Sequence, residues 1–362
     1  MPKILDYDHL EFFVGNAKQA AYYYRMAFGF RLTAVAGLET GVRDRASYLL
    51  EQGTIRFVLT TPLGPEHPAA DHHKLHGDGV RSVALLVDDV PGMYRQTTAN
   101  GAKGIQEPTE LTGPDGSVQI ASVATYGDTI HTFIDRSKYT GIFLPGYQPV
   151  EKDTLSRPAN LQLVDHVVGN VEWHSMEKWV EYYERVFGFH KFWSVDDKQL
   201  YTEYSALRST VVADPTERVK FPINEPAKAK RKSQIEEYVD YYRSAGVQHV
   251  AMHTENIIET VTKLRENGVE FLRIPSSYYE TLEQRVGKID EDVKTLARLG
   301  VLVDRDEYGY LLQLFTKPVE DRPTLFLEVI QRKGGRSFGL GNFKALFEAI
   351  ERDQAARGNL TE

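Results

Sequence analysis

The chain contains no cysteine. Disulfides, thiolate metal ligands and cysteine nucleophiles are therefore excluded, and any bound metal must be held by histidine nitrogen and carboxylate oxygen. No apolar run approaches the about 18 to 20 residues of a membrane span. The opening MPKILDYDHLEFFV lacks the basic, then apolar, then small-residue order of a secretory signal, so the expected setting is the cytoplasm. No excess of positive charge is present: 51 acidic residues outnumber 43 basic ones, and the formal net charge of -8 opposes the counterion release that drives nucleic-acid binding. The one basic run, Lys228 to Lys232, reads as a solvated loop. Neither nucleic acid nor membrane is an expected partner.

What is present is a duplication. At 362 residues, 41% of them apolar, the chain can fill two cores. The segment YDHLEFFVGNAKQAAYYYRMAFGF, from Tyr7 to Phe30, returns as VDHVVGNVEWHSMEKWVEYYERVFGF from Val164 to Phe189. Both open on Asp-His and close on Phe-Gly-Phe, with Gly29 and Gly188 placed where a left-handed residue ends a helix. A second pair aligns without a gap, Gly79–Ala102 against Gly246–Val269. Each unit reads as strand then helix. Strand-like stretches follow, VQIASVAT from Val118 and HTFID from His131, then YLLQLFTK from Tyr310 and TLFLEVI from Thr324. The sum is four βαβββ modules, two per half. The boundary is expected between Tyr147 and Ala159, giving domains 1-150 and 151-362. Paired modules of this kind resemble the vicinal oxygen chelate architecture. That resemblance implies an α+β fold of two open barrels curled from four modules.

The two copies can be compared position by position. His166 keeps a counterpart in His9, but His249 aligns with Ser82, and Glu328 falls opposite Thr132 or a neighbour. Alternation along the strands places Val164, His166 and Val168 on one face, and Phe326, Glu328 and Ile330 on another. A lone strand histidine is more often a hydrogen-bonded core residue, and a lone buried glutamate is usually paired. Here His166, His249 and Glu328 lie on different strands of one half, and two of them vanish in the other. Two imidazoles and one carboxylate leave iron(II) with a net charge of about +1 and open positions for a chelating substrate. A rival cluster, His72, His73 and His76, sits in the short polar context AADHHKLHGDG, with no strand scaffold or dry wall expected around it.

Through WSVDD, TEYSALRS, PINEPA, KSQIEEY, GVQHVA, YLLQLFTKP, DRPTLFLEVIQR and FGLGNFKALFEA, the second half resembles the 4-hydroxyphenylpyruvate dioxygenase family. The resemblance implies Fe(II) held by His166, His249 and Glu328. It also implies a pocket wall of Ser209, Pro222, Asn224, Gln234, Gln248, Gln313, Phe315, Phe326, Phe338 and Phe343, with Asn224, Gln234 and Gln248 taking part in catalysis. The implied partners are 4-hydroxyphenylpyruvate and O2, the implied products homogentisate and CO2 in tyrosine and phenylalanine breakdown, and the chain is expected to form a homo-oligomer. Two other readings compete. 4-Hydroxymandelate synthase shares substrate and metal but hydroxylates the benzylic carbon, and a non-catalytic aromatic-binding module would have no need of the triad. Near the C-terminus, Asn342 is expected to cap a helix whose Phe343, Leu346, Phe347 and Ile350 share one apolar face. Gly339 and Gly341 give that helix backbone freedom to act as a lid.

Overall fold

A computed structural model describes residues 2–195 and 206–360, so parts of the WSVDD and TEYSALRS motifs lie outside it. Nine strands form one sheet: Ile4–Phe13, Arg31–Ala36, Arg45–Gln52, Ile55–Pro62, Gly79–Val87, Gly104–Gly113, Gly116–Ala124, Ile130–Tyr139 and Gln148–Pro149, labelled β1 to β9. Eight form the other: Leu163–Asn170, His190–Val195, Ala206–Ala213, Lys220–Ala227, Gly246–His253, Leu302–Asp306, Gly309–Phe315 and Phe326–Lys333, labelled β10 to β17. The order β6-β7-β8-β5-β1-β4-β3-β2-β9 matches β15-β16-β17-β14-β10-β13-β12-β11 strand for strand, with β9 added at one edge. In both sheets the two central strands run antiparallel and each has a parallel outer neighbour. The expected duplication is thus a repeated topology.

The helices arise where the sequence places them. Asn16 accepts the backbone N–H of Gln19 at the start of Ala17–Ala27, and its counterpart Met176–Phe187 buries Met176, Val180, Tyr183 and Val186 along one stripe. Gly29 and Gly188 follow these helices at φ 76° and 70°, as their position predicts.

Register confirms the alignment of the copies. Ala84 pairs with His9 on one side and Thr132 on the other, as Ala251 pairs with His166 and Glu328. Simple alternation fails beside the first histidine, however. A β-bulge between Val164 and His166 inserts Asp165 beside His166, so Asp165 rather than Val164 is the ligand's neighbour.

The halves share a continuous core. His131, fully buried, lies against the rings of Tyr183, Phe187 and Phe221 at 5.7, 5.3 and 5.1 Å. The connecting stretch 150–162 is strapped to the first half through Gln52, which accepts from the backbone of Ala159, and through Asp153, which pairs with Arg25. The rival histidine cluster also belongs to this junction. The segment forms a helix, Pro68–His76, on which His72 and His76 share a face as their spacing allows, but both are buried, with His76 stacked on Tyr242 of the other half. Both ring nitrogens of His76 are engaged, by Tyr242 O and Asp128, and His73 pairs with Asp78. His72 and His76 join the halves. Their dry wall comes from a residue distant in sequence, which is why local context concealed it.

In the basic run, residues 228–230 are exposed loop as expected, while Arg231 donates to the carbonyl of Leu360 and Lys232 pairs with Asp240. Among the described residues no helix is long and apolar enough to cross a membrane.

Candidate metal centre

His166 on β10, His249 on β14 and Glu328 on β17 come together on three adjacent strands, with one ligand atom from each lying within 4.8 Å of the others. Glu328 Oε2 lies 3.2 Å from His166 Nε2 and 3.3 Å from His249 Nε2. All three residues are buried.

What aims the imidazoles is the residue before each. Asp165, displaced by its bulge, places Oδ1 2.7 Å from His166 Nδ1. A second register shift in β14 sets Gln248 beside His249, with Oε1 3.0 Å from Nδ1. The atoms that face them, a carboxylate and an amide oxygen, accept, so both Nδ1 atoms carry the proton and both Nε2 atoms present a lone pair. Two lone pairs and a carboxylate then converge without a donor among them. Such a set demands a proton or a cation at its centre, and it fits a divalent metal through its N,N,O chemistry.

Electrostatics agree with that geometry. Burial disfavours protonated His166, but Glu328 and Asp165 outweigh it and raise its pKa. For His249 burial prevails over Glu328, and the pKa falls. Burial would also raise Glu328, yet the two histidines hold it below the usual glutamate range. Asp165 is driven well below its ordinary value despite burial, chiefly by Arg332, which donates Nε and Nη2 to its two oxygens at 2.8 Å each. Arg332 in turn donates Nη1 to the carbonyls of Ser337 and Gly335. The chain His166–Asp165–Arg332 therefore ties the ligand to the segment that precedes the C-terminal helix.

Around the triad stand several of the expected wall residues. Phe326 stacks on His249 at 4.7 Å, Phe315 meets it edge-on at 5.9 Å, and Phe338 lies edge-on to His166 at 5.0 Å. Gln313 shares the face of Phe315 by period two, and its amide abuts Gly339 so closely that a Cβ there would meet Nε2 at 2.5 Å. Ser209 and Asn224 pair across β12 and β13, with Pro222 two residues earlier on β13. Gln234 and Gln248 line a cavity of about 30 Å³ with Phe326 and Ile350. Phe343 stands one layer out, stacked on Trp193 at 6.2 Å, which in turn lies 6.1 Å from Phe338. A groove of about 760 Å³ at the junction of the halves, lined by Asp78, Lys317 and Glu320, does not reach the triad.

The C-terminal helix, Phe343–Ala356, carries the expected apolar face, with Leu346, Phe347 and Ile350 buried. Two details differ. Asn342 occupies the N-cap position but makes no capping hydrogen bond, because its Oδ1 accepts from Tyr278 Oη at 2.5 Å. Gly339 does adopt a left-handed conformation, φ 78°, whereas Gly341 is needed for close approach, since a Cβ would strike Asp304 at 2.4 Å. Sequence reasoning assigned no role to Asp165, Arg332 or Asn170. The recurrent Asp-His dipeptide and the arginines Arg136 and Arg332 near the ends of matching strands were the available signal.

The comparisons with known proteins follow the same lines. The family model described as Glyoxalase/Bleomycin resistance protein/Dioxygenase superfamily matches residues 6–124 and 164–314. A 4-hydroxyphenylpyruvate dioxygenase from Dictyostelium discoideum is 51% identical over 98% of this chain and 99% of its own. Those from Aspergillus fumigatus and Danio rerio are each 50% identical, over 98% and 99% of this chain and 94% and 93% of their own. Among solved structures, a mutant of 4-hydroxymandelate synthase from Streptomyces coelicolor superposes with a TM-score of 0.87 at 32% identity, covering 98% of this chain and 100% of that one. With the duplicated sheet, the buried triad and half-identical relatives along nearly its whole length, the chain belongs to the 4-hydroxyphenylpyruvate dioxygenase family.

Proposed function

We propose that this chain is an iron(II)-dependent dioxygenase that converts 4-hydroxyphenylpyruvate and O2 to homogentisate and CO2. The observation that carries the reading is the buried His166, His249 and Glu328 set, in a chain about half identical to dioxygenases of that name. Iron(II) held by these residues supplies chelation of the 2-oxo acid and activation of O2. Decarboxylation of the substrate's own 2-oxo acid provides the electrons, so no separate 2-oxo acid is consumed.

The protein's share is binding, orientation and exclusion of water. Asp165 and Gln248 hold the imidazoles with Nε2 inward. Phe315, Phe326 and Phe338 keep the surroundings apolar, which strengthens every charge interaction within. Ser209, Asn224, Gln234, Gln248 and Gln313 form the polar lining for the ring hydroxyl and side chain, with Pro222 and Phe343 completing the wall. Asn224, Gln234 and Gln248 are the members assigned to the reaction itself.

The proposal extends to a division of labour. Residues 1-150 form a domain that needs no catalytic metal, residues 151-362 form the iron domain, and the C-terminal helix closes it. Support for the lid role is its position: Phe338 touches His166 just before the helix, and Arg357 and Asn359 anchor its far end on Glu237. Truncation before Gly341 should leave iron binding largely intact while raising the ratio of CO2 released to homogentisate formed. A ratio that stays near one would sink the lid role.

Anaerobic reconstitution with iron(II), then oxygen and 4-hydroxyphenylpyruvate, tests the function directly. Homogentisate is the expected product. Formation of 4-hydroxymandelate would assign the synthase reaction, and binding without oxygen uptake would indicate a non-catalytic module.

A further inference from the structure

The strand that carries His166 ends at Asn170, on the same face four residues on, and Asn170 is fully buried. Its register partner on β13 is Asn224, whose own partner on β12 is Ser209, so three polar side chains run in a row across three strands. Asn224 Nδ2 donates to Asn170 Oδ1 at 3.3 Å, whereas Asn170 Nδ2 is buried without a partner. An unpaired buried amide N–H costs free energy, so the position needs an explanation. The first half supplies a contrast. There the corresponding register pair is Phe13 with Thr60, and Ser47 still faces Thr60. The amide pair is confined to the half that has the metal triad.

We infer that Asn170 is a positioning residue that fixes which end of the Asn224 amide meets the substrate. With Nδ2 of Asn224 committed to Asn170, the Asn224 Oδ1 is left as an acceptor to which a phenolic hydroxyl can donate. Without Asn170 no described hydrogen bond commits the Asn224 Nδ2, and either end of that amide can turn to the hydroxyl. This inference rests on the proposed substrate and deepens it by assigning a polarity to the hydroxyl contact. Asn170 acts through Asn224 and touches no reacting atom.

The test is anaerobic binding of 4-hydroxyphenylpyruvate and of phenylpyruvate, which lacks the ring hydroxyl, to the iron(II)-loaded chain. The parent, Asn170→Ala, Asn170→Ser, Asn170→Asp, Asn224→Ala and the double alanine variant are compared. Asn170→Ala and Asn170→Ser, the latter too short to reach Asn224 should alanine impair folding, are expected to weaken 4-hydroxyphenylpyruvate about fivefold and leave phenylpyruvate unchanged. Asn170→Asp keeps the acceptor and should hold the parent's ratio. The double variant should bind no more weakly than Asn224→Ala alone. Equal weakening of both ligands, multiplying effects in the double variant, or a parent that does not distinguish the two ligands would overturn the inference. Failure of the proposed function shows separately, as a parent with an intact binding ratio that forms no homogentisate.

Discussion

The two cups of this molecule hold the same support around different contents. In the second, His166 rests on Asp165, Asp165 on Arg332, and Phe338 lies edge-on to the imidazole at 5.0 Å. In the first, His9 Nδ1 lies 2.6 Å from Asp8, Arg136 donates twice to Asp8 at 2.7 Å, and Phe143 lies edge-on to His9 at 5.1 Å. Even the bulge before the histidine recurs. Yet Ser82 and Thr132 stand where His249 and Glu328 would be, and they hydrogen-bond to each other at 2.8 Å. Phe143 packs with Ala34, Leu49 and Val58, the last being the register counterpart of Pro222. The first cup is filled by its own side chains. The aspartate–arginine pair therefore serves packing as well as chemistry, since it persists where a metal triad does not, while the two remaining ligands have only a chemical use.

That contrast can be broken in graded steps. The largest effect is expected from His249→Ala or Glu328→Ala, which make the second cup resemble the first. Turnover should fall by about a thousandfold or more, with the fold intact by circular dichroism. A variant that turns over near the parent rate would remove the triad from the account.

Asp165→Asn and Asp8→Asn form the next pair. Each leaves a half-buried arginine without its buried carboxylate partner and should cost on the order of 3 kcal/mol in denaturant unfolding. Only Asp165→Asn should also weaken iron binding, by about 10 to 100-fold. If both variants bind iron alike, Asp165 has no role beyond the packing role of Asp8.

The last step leaves the metal untouched and concerns the junction between the cups. Burial holds His131 at a pKa of about 4 against an ordinary 6.5, partly offset by its hydrogen bond to Val83 O. Because the folded value is depressed, the stability it contributes is complete above about pH 6.5 and is lost as pH falls toward 4. The loss should reach about 3 kcal/mol. His131→Gln should flatten the unfolding free energy over that interval. An unchanged slope would exclude His131 as its source.

Much of this was legible in the sequence for a definite reason. The duplication turned Ser82 and Thr132 into an internal control for His249 and Glu328, and strand register then bore out both alignments. What escaped notice depends on departures from periodicity or on distant partners. Asp165 and Gln248 reach their histidines only because bulges interrupt the alternation. His72 and His76 are dry because Tyr242 covers them from the other half. Asn342 looks like a cap until Tyr278 takes its side chain. Asn170 lay in plain view within DHVVGN, but its meaning needs the register that sets it beside Asn224.

The central claim is that one cup holds the metal and the other does not. Iron bound per chain after anaerobic loading with iron(II), measured on the parent, His9→Ala and His249→Ala, tests it most directly. The account predicts one iron in the parent, one in His9→Ala, and a loss of tight binding in His249→Ala. Two irons in the parent, or a loss of iron in His9→Ala with retention in His249→Ala, would contradict it.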